Sequence, residues 1–159
     1  MGPPSGYASR RRTGRWLEES HSVTVPRPLT VVTDHIADFA HVAAALPAVL
    51  VCARLDTGVP RVGSRWRVRI GGFRLPGELE CTLTRRRPHW VTFTASRAGA
   101  AFTLDYACVD LDHSTEVHAS LQYEEARGPA GCGRWLIARP LGAAVRAATS
   151  ELVTWSIDQ

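Results

Sequence analysis

LGAAVRAATSELVTW, residues 141–155, is the stretch on which the fold turns. Leu141, Val145, Ala148, Leu152 and Trp155 recur at steps of four, three, four and three, which is one face of a long helix. From Val49 to Tyr123 the chain reads instead as short strands and turns. A long amphipathic helix after a run of antiparallel strands has only the sheet against which to bury its apolar stripe. A bent sheet closed by such a helix can enclose a cavity, so the sequence points toward holding an apolar small molecule. Pro140 is expected at or near the start of the regular part of this helix, after a flexible loop from Gly128 to Gly133.

The strands are read from a period of two. Over 63–71, Trp66, Val68 and Ile70 share one face while Arg65, Arg67 and Arg69 share the other. Over 78–85, Leu79, Cys81 and Leu83 oppose Glu78, Glu80, Thr82 and Thr84, and Arg85 to Pro88 reads as a charged turn. Residues 90–96 group Val91, Phe93 and Ala95. Residues 101–111 group Phe102, Leu104, Tyr106 and Cys108, with a bulge expected where Val109 and Leu111 change face. Residues 115–124 group Val117, Ala119, Leu121 and Tyr123. A strand over 49–56 precedes these, and one over 17–25 opens the domain. Leu29, Val32, Ile36 and Phe39 then predict a short helix over 28–37, begun by Pro28, and a second short helix runs from Asp38 to Leu46 before Pro47 breaks it. One apolar and one polar face per strand describes an antiparallel meander with a wet side. The fold class is α+β.

Bulk properties narrow the function. At 159 residues with 45% hydrophobic content the chain is one domain, placed at 16–159. The net charge of +4 is concentrated in Arg10, Arg11, Arg12 and Arg15, and residues 1–15 read as a disordered basic leader. The remainder is near neutral, which gives no support to a nucleic-acid partner. No apolar run reaches the roughly 18–20 residues of a transmembrane segment. Cys52, Cys81, Cys108 and Cys132 are widely spaced, and three sit in apolar strand patterns. They read as free thiols in a reducing, cytoplasmic setting. The histidines lack ligand spacing, and no nucleotide loop or nucleophile motif occurs, so no metal and no cofactor is expected. A homodimer is compatible with the sequence.

The order of elements, a strand, two short helices, six strands and one long helix, resembles the helix-grip fold of the START/SRPBCC superfamily. Val25-Pro26-Arg27-Pro28 resembles that family's lead into its first short helix. Asp38-Phe39 followed by Leu46-Pro47-Ala48-Val49, Val62-Gly63-Ser64-Arg65-Trp66, Arg87-Pro88 and Ser114-Thr115-Glu116-Val117 resemble further segments in the same order. Coverage is about residues 20–158. The resemblance lies close to the polyketide cyclase/dehydrase and lipid-transport branch. It implies a curved antiparallel sheet of about seven strands around the long C-terminal helix, with two short helices after strand one. It also implies a hydrophobic ligand of lipid, isoprenoid or polyketide kind. Two alternatives follow from the same family: a polyketide cyclase or dehydratase acting in that cavity, and an accessory protein that docks a partner. Aromatic polyketide cyclases of this fold typically carry a Trp-x-Trp strand segment and a cavity arginine. Residues 78–84 here read ELECTLT, and the inward faces of 63–71, 78–85 and 115–124 carry no arginine or lysine.

The expected lining of the cavity is Phe39, Val68, Leu83, Phe93, Leu104, Tyr106, Tyr123, Val145, Ala148 and Leu152. Alanines at 143, 144, 147 and 148 leave room beneath the helix. Tyr106 and Tyr123 bring hydroxyls to an inward face, where each can orient a carbonyl or donate a proton. His41, on the second short helix, is the candidate acid/base at the cavity mouth. Asp34 and His35 are expected on the outer side of the first short helix, and His21, His89, His113 and His118 on turns or polar faces. Asp105 is expected to face out and Asp110 to share the face of Cys108.

Overall fold

The alternating pattern folds into a seven-stranded antiparallel sheet. In the computed structural model, which describes residues 15–47, 49–71, 77–97, 100–125 and 134–158, the strands are β1 (Arg15–Val25), β2 (Val49–Arg54), β3 (Arg65–Ile70), β4 (Gly77–Arg87), β5 (Trp90–Arg97), β6 (Ala100–Asp110) and β7 (Thr115–Glu125). Between β1 and β2 lie α1 (Leu29–Ala37) and α2 (Phe39–Ala45), and α3 (Arg134–Asp158) closes the chain. Strand order is β1-β7-β6-β5-β4-β3-β2, so a meander from β2 to β7 is completed by β1 returning beside β7. Of the expected leader 1–15, residues 1–14 fall outside the described residues, as do the loop 126–133 and Cys132, while Arg15 opens β1 rather than closing a leader.

The registers set which residues share a face. Trp66 pairs with Cys81, Leu83 with Phe93, Phe93 with Leu104, and Leu104 with Leu121. Each is an apolar residue facing inward, as the period of two requires. Arg65, Arg67 and Arg69 point the other way and meet Glu80 and Glu78 on exposed neighbours. The β2–β3 connection turns on Gly58 and Gly63, whose φ of 87° and 95° suit only glycine without strain. Asp56 fixes this turn: it accepts from Arg54 Nε at 3.1 Å and from Ser64 Oγ at 2.9 Å. The Arg54 contact first, with Ser64 and the Arg65 amide behind it, holds its carboxyl down to about 2.

Helix α3 lies along β1 and β7 and against α2. Its inward stripe of Val145, Ala148, Thr149 and Leu152 is buried. Three polar ties lock it in place. Arg27 donates from Nε and Nη2 to the Ser156 carbonyl at 3.2 and 3.0 Å, putting a cation at the negative end of the helix. The Thr115 hydroxyl donates to the Arg27 carbonyl at 2.8 Å, tying the same point to β7. The Thr149 hydroxyl donates to the Val145 carbonyl at 3.0 Å, which leaves His21 Nδ1–H as donor to that hydroxyl at 2.7 Å.

Several expectations are corrected. Helix α3 begins at Arg134 and runs through Pro140, which the pattern had placed at or near the start of its regular part. A proline near a helix N-terminus removes only one backbone bond, and the preceding turn can form without it. Strand β4 extends through Arg87, so the charged turn shrinks to Pro88 and His89. The bulge expected after Cys108 is absent, since β6 and β7 keep register to Asp110–Thr115. Val109 and Asp110 are simply exposed at the end of the strand, and Asp110 does not join Cys108 inside. Irregularities fall instead between Leu83 and Arg85, opposite β5, and between Val49 and Val51, opposite β3. His21 is not on a polar face but inward, against α3.

Candidate functional site

Two groups of side chains meet on the concave side. The first is apolar. Phe39 at the start of α2 packs edge-on to Phe93 with centroids 5.1 Å apart, and Phe93 packs edge-on to Trp66 at 5.8 Å. Around this trio are Val68, Leu83, Leu104, Val145, Ala148 and Leu152, all buried in one cluster. Every residue expected from the sequence to line a cavity is therefore in the interior, Tyr106 and Tyr123 included.

The second group is polar and runs from the surface inward. His35, in the last turn of α1, lies between two rings. His41 stacks on one side at 4.1 Å and 5°, and Trp155 of α3 on the other at 3.7 Å and 19°. His41 is exposed, and its Nδ1 sits 2.9 Å from the His35 carbonyl. A carbonyl only accepts, so His41 Nδ1 carries a proton and donates it. His35 Nε2 faces Glu151 Oε2 at 3.5 Å, with side chains 7% and 29% exposed. That nitrogen is buried and makes no hydrogen bond, and the indole nitrogen of Trp66 is in the same condition. Buried polar atoms are usually paired, so both are exceptions that call for a reason.

Burial sets the protonation states. Desolvation, then the neighbouring His41, pushes His35 down to about 4, against a smaller upward pull from Asp38. His35 is thus neutral near pH 7. Burial raises the Glu151 carboxyl, with His41 opposing. Tyr106 on β6 is wholly inside. Burial raises its phenol, and the charges of Glu151, Cys108 and Cys81 raise it further, so it remains a hydrogen-bond donor at neutral pH. Cys81 and Cys108 are free thiols, the latter pushed by burial up to about 12, and neither is a nucleophile at neutral pH. The assembly therefore holds a neutral imidazole, a carboxyl of raised pKa and a phenol, within electrostatic reach of one another.

Of the sequence-predicted acid/base candidates, His41 belongs to this seam, and Tyr106 is buried within reach of the Glu151 charge. Tyr123 stands apart: it lies four residues along β7 from the partner of Tyr106, about 13 Å by strand rise, and packs on Phe102 at 5.0 Å. His35, expected on the outer side of α1, is buried. Glu151 is absent from the sequence-based candidates. Both flank an apolar stripe, His35 beside Ile36 and Glu151 beside Leu152, and an ionisable residue in that position on two separate helices is the signal that could have found them. Asp105 faces outward as expected, accepting from Trp90 Nε1 at 3.2 Å and Thr92 Oγ1 at 2.5 Å. Among the described residues no three His, Cys, Asp or Glu side chains group as metal ligands, and no helix is long and apolar enough to cross a membrane.

The backbone arrangement has many solved counterparts. A START superfamily protein from Mycobacterium smegmatis superposes with a TM-score of 0.68 at 14% identity, over 89% of this chain and 97% of that one. The Zhui aromatase/cyclase from Streptomyces sp. R1128 gives 0.61 at 16% identity, over 87% and 94%. Norcoclaurine synthase from Thalictrum flavum, as a point mutant, gives 0.67 at 13% identity, over 93% and 98%. Such distant likenesses establish the helix-grip fold and nothing about chemistry. No curated protein matches the sequence significantly. Residues 18–155 match the family described as polyketide cyclase/dehydrase and lipid transport, and this chain, a START-like helix-grip protein, belongs to that family.

Proposed function

We propose that this protein binds a hydrophobic small molecule, of lipid, isoprenoid or polyketide kind, on the concave face of the sheet beneath α3. Support comes first from membership of a family described by polyketide and lipid chemistry. The observation that carries the reading is the inward face itself: from β3 to β7 its one described arginine is Arg86, opposite Val91 near the end of β4 and tied to Asp34, while aromatic and aliphatic groups converge from the sheet, α2 and α3. Burial of apolar ligand area, at roughly 25 cal/mol per Å², would supply affinity. Phe39, Val68, Leu83, Phe93, Leu104, Tyr106, Tyr123, Val145, Ala148 and Leu152 are the proposed contacts. Free thiols at Cys52, Cys81 and Cys108 fit a reducing, cytoplasmic setting. Native mass spectrometry of protein isolated from its own host tests the reading. A co-purifying apolar molecule in one-to-one ratio is expected, and protein that stays ligand-free when offered its host's lipid extract would refute it.

A second reading, cyclisation or dehydration of a polyketide-like substrate in the same place, is favoured by one observation: the raised carboxyl of Glu151 facing neutral His35. In a dehydration, Glu151 would take the proton from carbon α to a carbonyl, and Tyr106 would protonate the departing β-hydroxyl as water. Loss of one water from a β-hydroxyketone, seen by mass spectrometry and abolished in Glu151→Gln, would support catalysis over carriage.

A further inference from the structure

Resting on the binding reading, we propose that the ligand carries an alcohol or phenol at one end rather than a carboxylate, and that His35 and Glu151 bind this hydroxyl with Tyr106 behind them. The argument begins from the unpaired imidazole. His35 Nε2 is buried, makes no hydrogen bond, and stands 3.5 Å from a Glu151 oxygen, too far for a strong bond between them. The ring cannot turn away to find another partner without breaking its stack between His41 and Trp155. A ligand hydroxyl set beside the two satisfies both: its hydrogen is donated to the carboxylate, and its oxygen accepts from the imidazole.

Charge excludes the other common end group of apolar metabolites. A ligand carboxylate here would meet the Glu151 carboxyl and a neutral imidazole. The base beside this pair is His41, exposed and stacked on His35, and the arginines on and around the sheet are engaged or turned away. Arg27 is spent on the Ser156 carbonyl, Arg54 on Asp56, Arg86 on Asp34, and Arg65, Arg67 and Arg69 lie on the outer face. A ketone or ether would accept from His35 but offer Glu151 nothing. Of these four end groups only the hydroxyl both donates and accepts, and a site built to pair with one discriminates strongly against analogues that lack it.

Calorimetric titration of the full chain at pH 7.5 tests this with three end groups, each carried on a biphenyl and on a naphthalene skeleton: the phenol, its methyl ether and the carboxylate. The phenol should bind at least about tenfold more tightly than the carboxylate, as like-charge repulsion in a buried site requires. Glu151→Gln should narrow that gap by improving the carboxylate. Tyr106→Phe, with near-ultraviolet circular dichroism to show native packing, should weaken the phenol and leave the ether unchanged. A carboxylate bound as well as the phenol, or an ether bound as well as the phenol, overturns the proposal while leaving the binding reading in place. Failure of all six probes to bind removes the binding reading, and the proposal with it.

Discussion

The Phe39–Phe93–Trp66 cluster and the His41–His35–Trp155 stack are both built from aromatic rings at the junction of the helices with the sheet, yet they follow different rules. The first is buried throughout and packs edge to face, the arrangement ring quadrupoles favour. The second packs face to face and grades from an exposed imidazole to a buried one; each region keeps one buried nitrogen unpaired, Trp66 Nε1 in the first and His35 Nε2 in the second, but only the latter faces a carboxyl. Removing the His35 nitrogen from water without pairing it costs stability. A sequence seeking stability alone would place leucine or phenylalanine there. The apolar cluster holds the fold together, and the polar stack lowers stability, a compromise of the kind that concentrates at functional sites.

The largest effect separating the two regions should come from Phe93→Ala, expected to lower unfolding free energy by ~3–5 kcal/mol in chemical denaturation. A loss of less than half that would mean the cluster is loosely packed and the contrast is overstated. Acid comes next. His35 stays neutral in the folded protein down to about 4, against an ordinary value of 6.5, so the unfolded chain takes up a proton first. Stability should therefore fall as pH drops from 6.5 toward 4, by on the order of 3 kcal/mol from this group, and level off below. Glu151 has the opposite sign. Its raised carboxyl is protonated earlier in the folded state, so its contribution improves as pH falls. Comparing wild type with His35→Gln isolates the histidine: the variant should lack the decline, and parallel pH profiles for the two proteins would show that His35 is not held neutral.

Trp155→Ala should cost about 2 kcal/mol, below the range for a fully buried aromatic, because Trp155 is only partly buried. It should also bring the His35 titration, followed by proton NMR, back toward 6.5. An unmoved titration would mean the stack does not shield the ring. Asp38→Ala removes the cap that accepts from the Ala40 amide at 3.0 Å. About 1 kcal/mol is expected, read from thermal melting. Arg67→Ala, breaking a 3.8 Å contact between side chains more than half exposed, should change stability by less than about 0.5 kcal/mol, which sets the baseline for both regions.

How much of this was legible follows from where the information sits. The strands were readable because inward and outward residues alternate locally, as in Arg65 to Ile70, and their order followed once they formed a meander. The inward face of α3 was readable from Val145, Ala148 and Leu152 for the same reason. Tyr106 and His41 were recognisable as chemistry-bearing residues at plausible places. The burial of His35 was not readable. Within α1 it sits at the edge of the Leu29–Val32–Ile36 stripe, and what covers it is Trp155 and Glu151, more than a hundred residues away. The irregularity at Leu83–Arg85 was hidden too, because the run Arg85-Arg86-Arg87 after it carries no apolar alternation to show a change of face.

The most direct measurement follows the assigned indole signals of Trp155 and Trp90 by heteronuclear NMR while 4-phenylphenol is added. Trp155 stands over the polar stack, and Trp90 lies on the outer face bonded to Asp105. Saturable movement of Trp155 with Trp90 unmoved is the expected result. A still Trp155, or equal movement of both, would contradict a ligand held between sheet and helix beside His35 and Glu151.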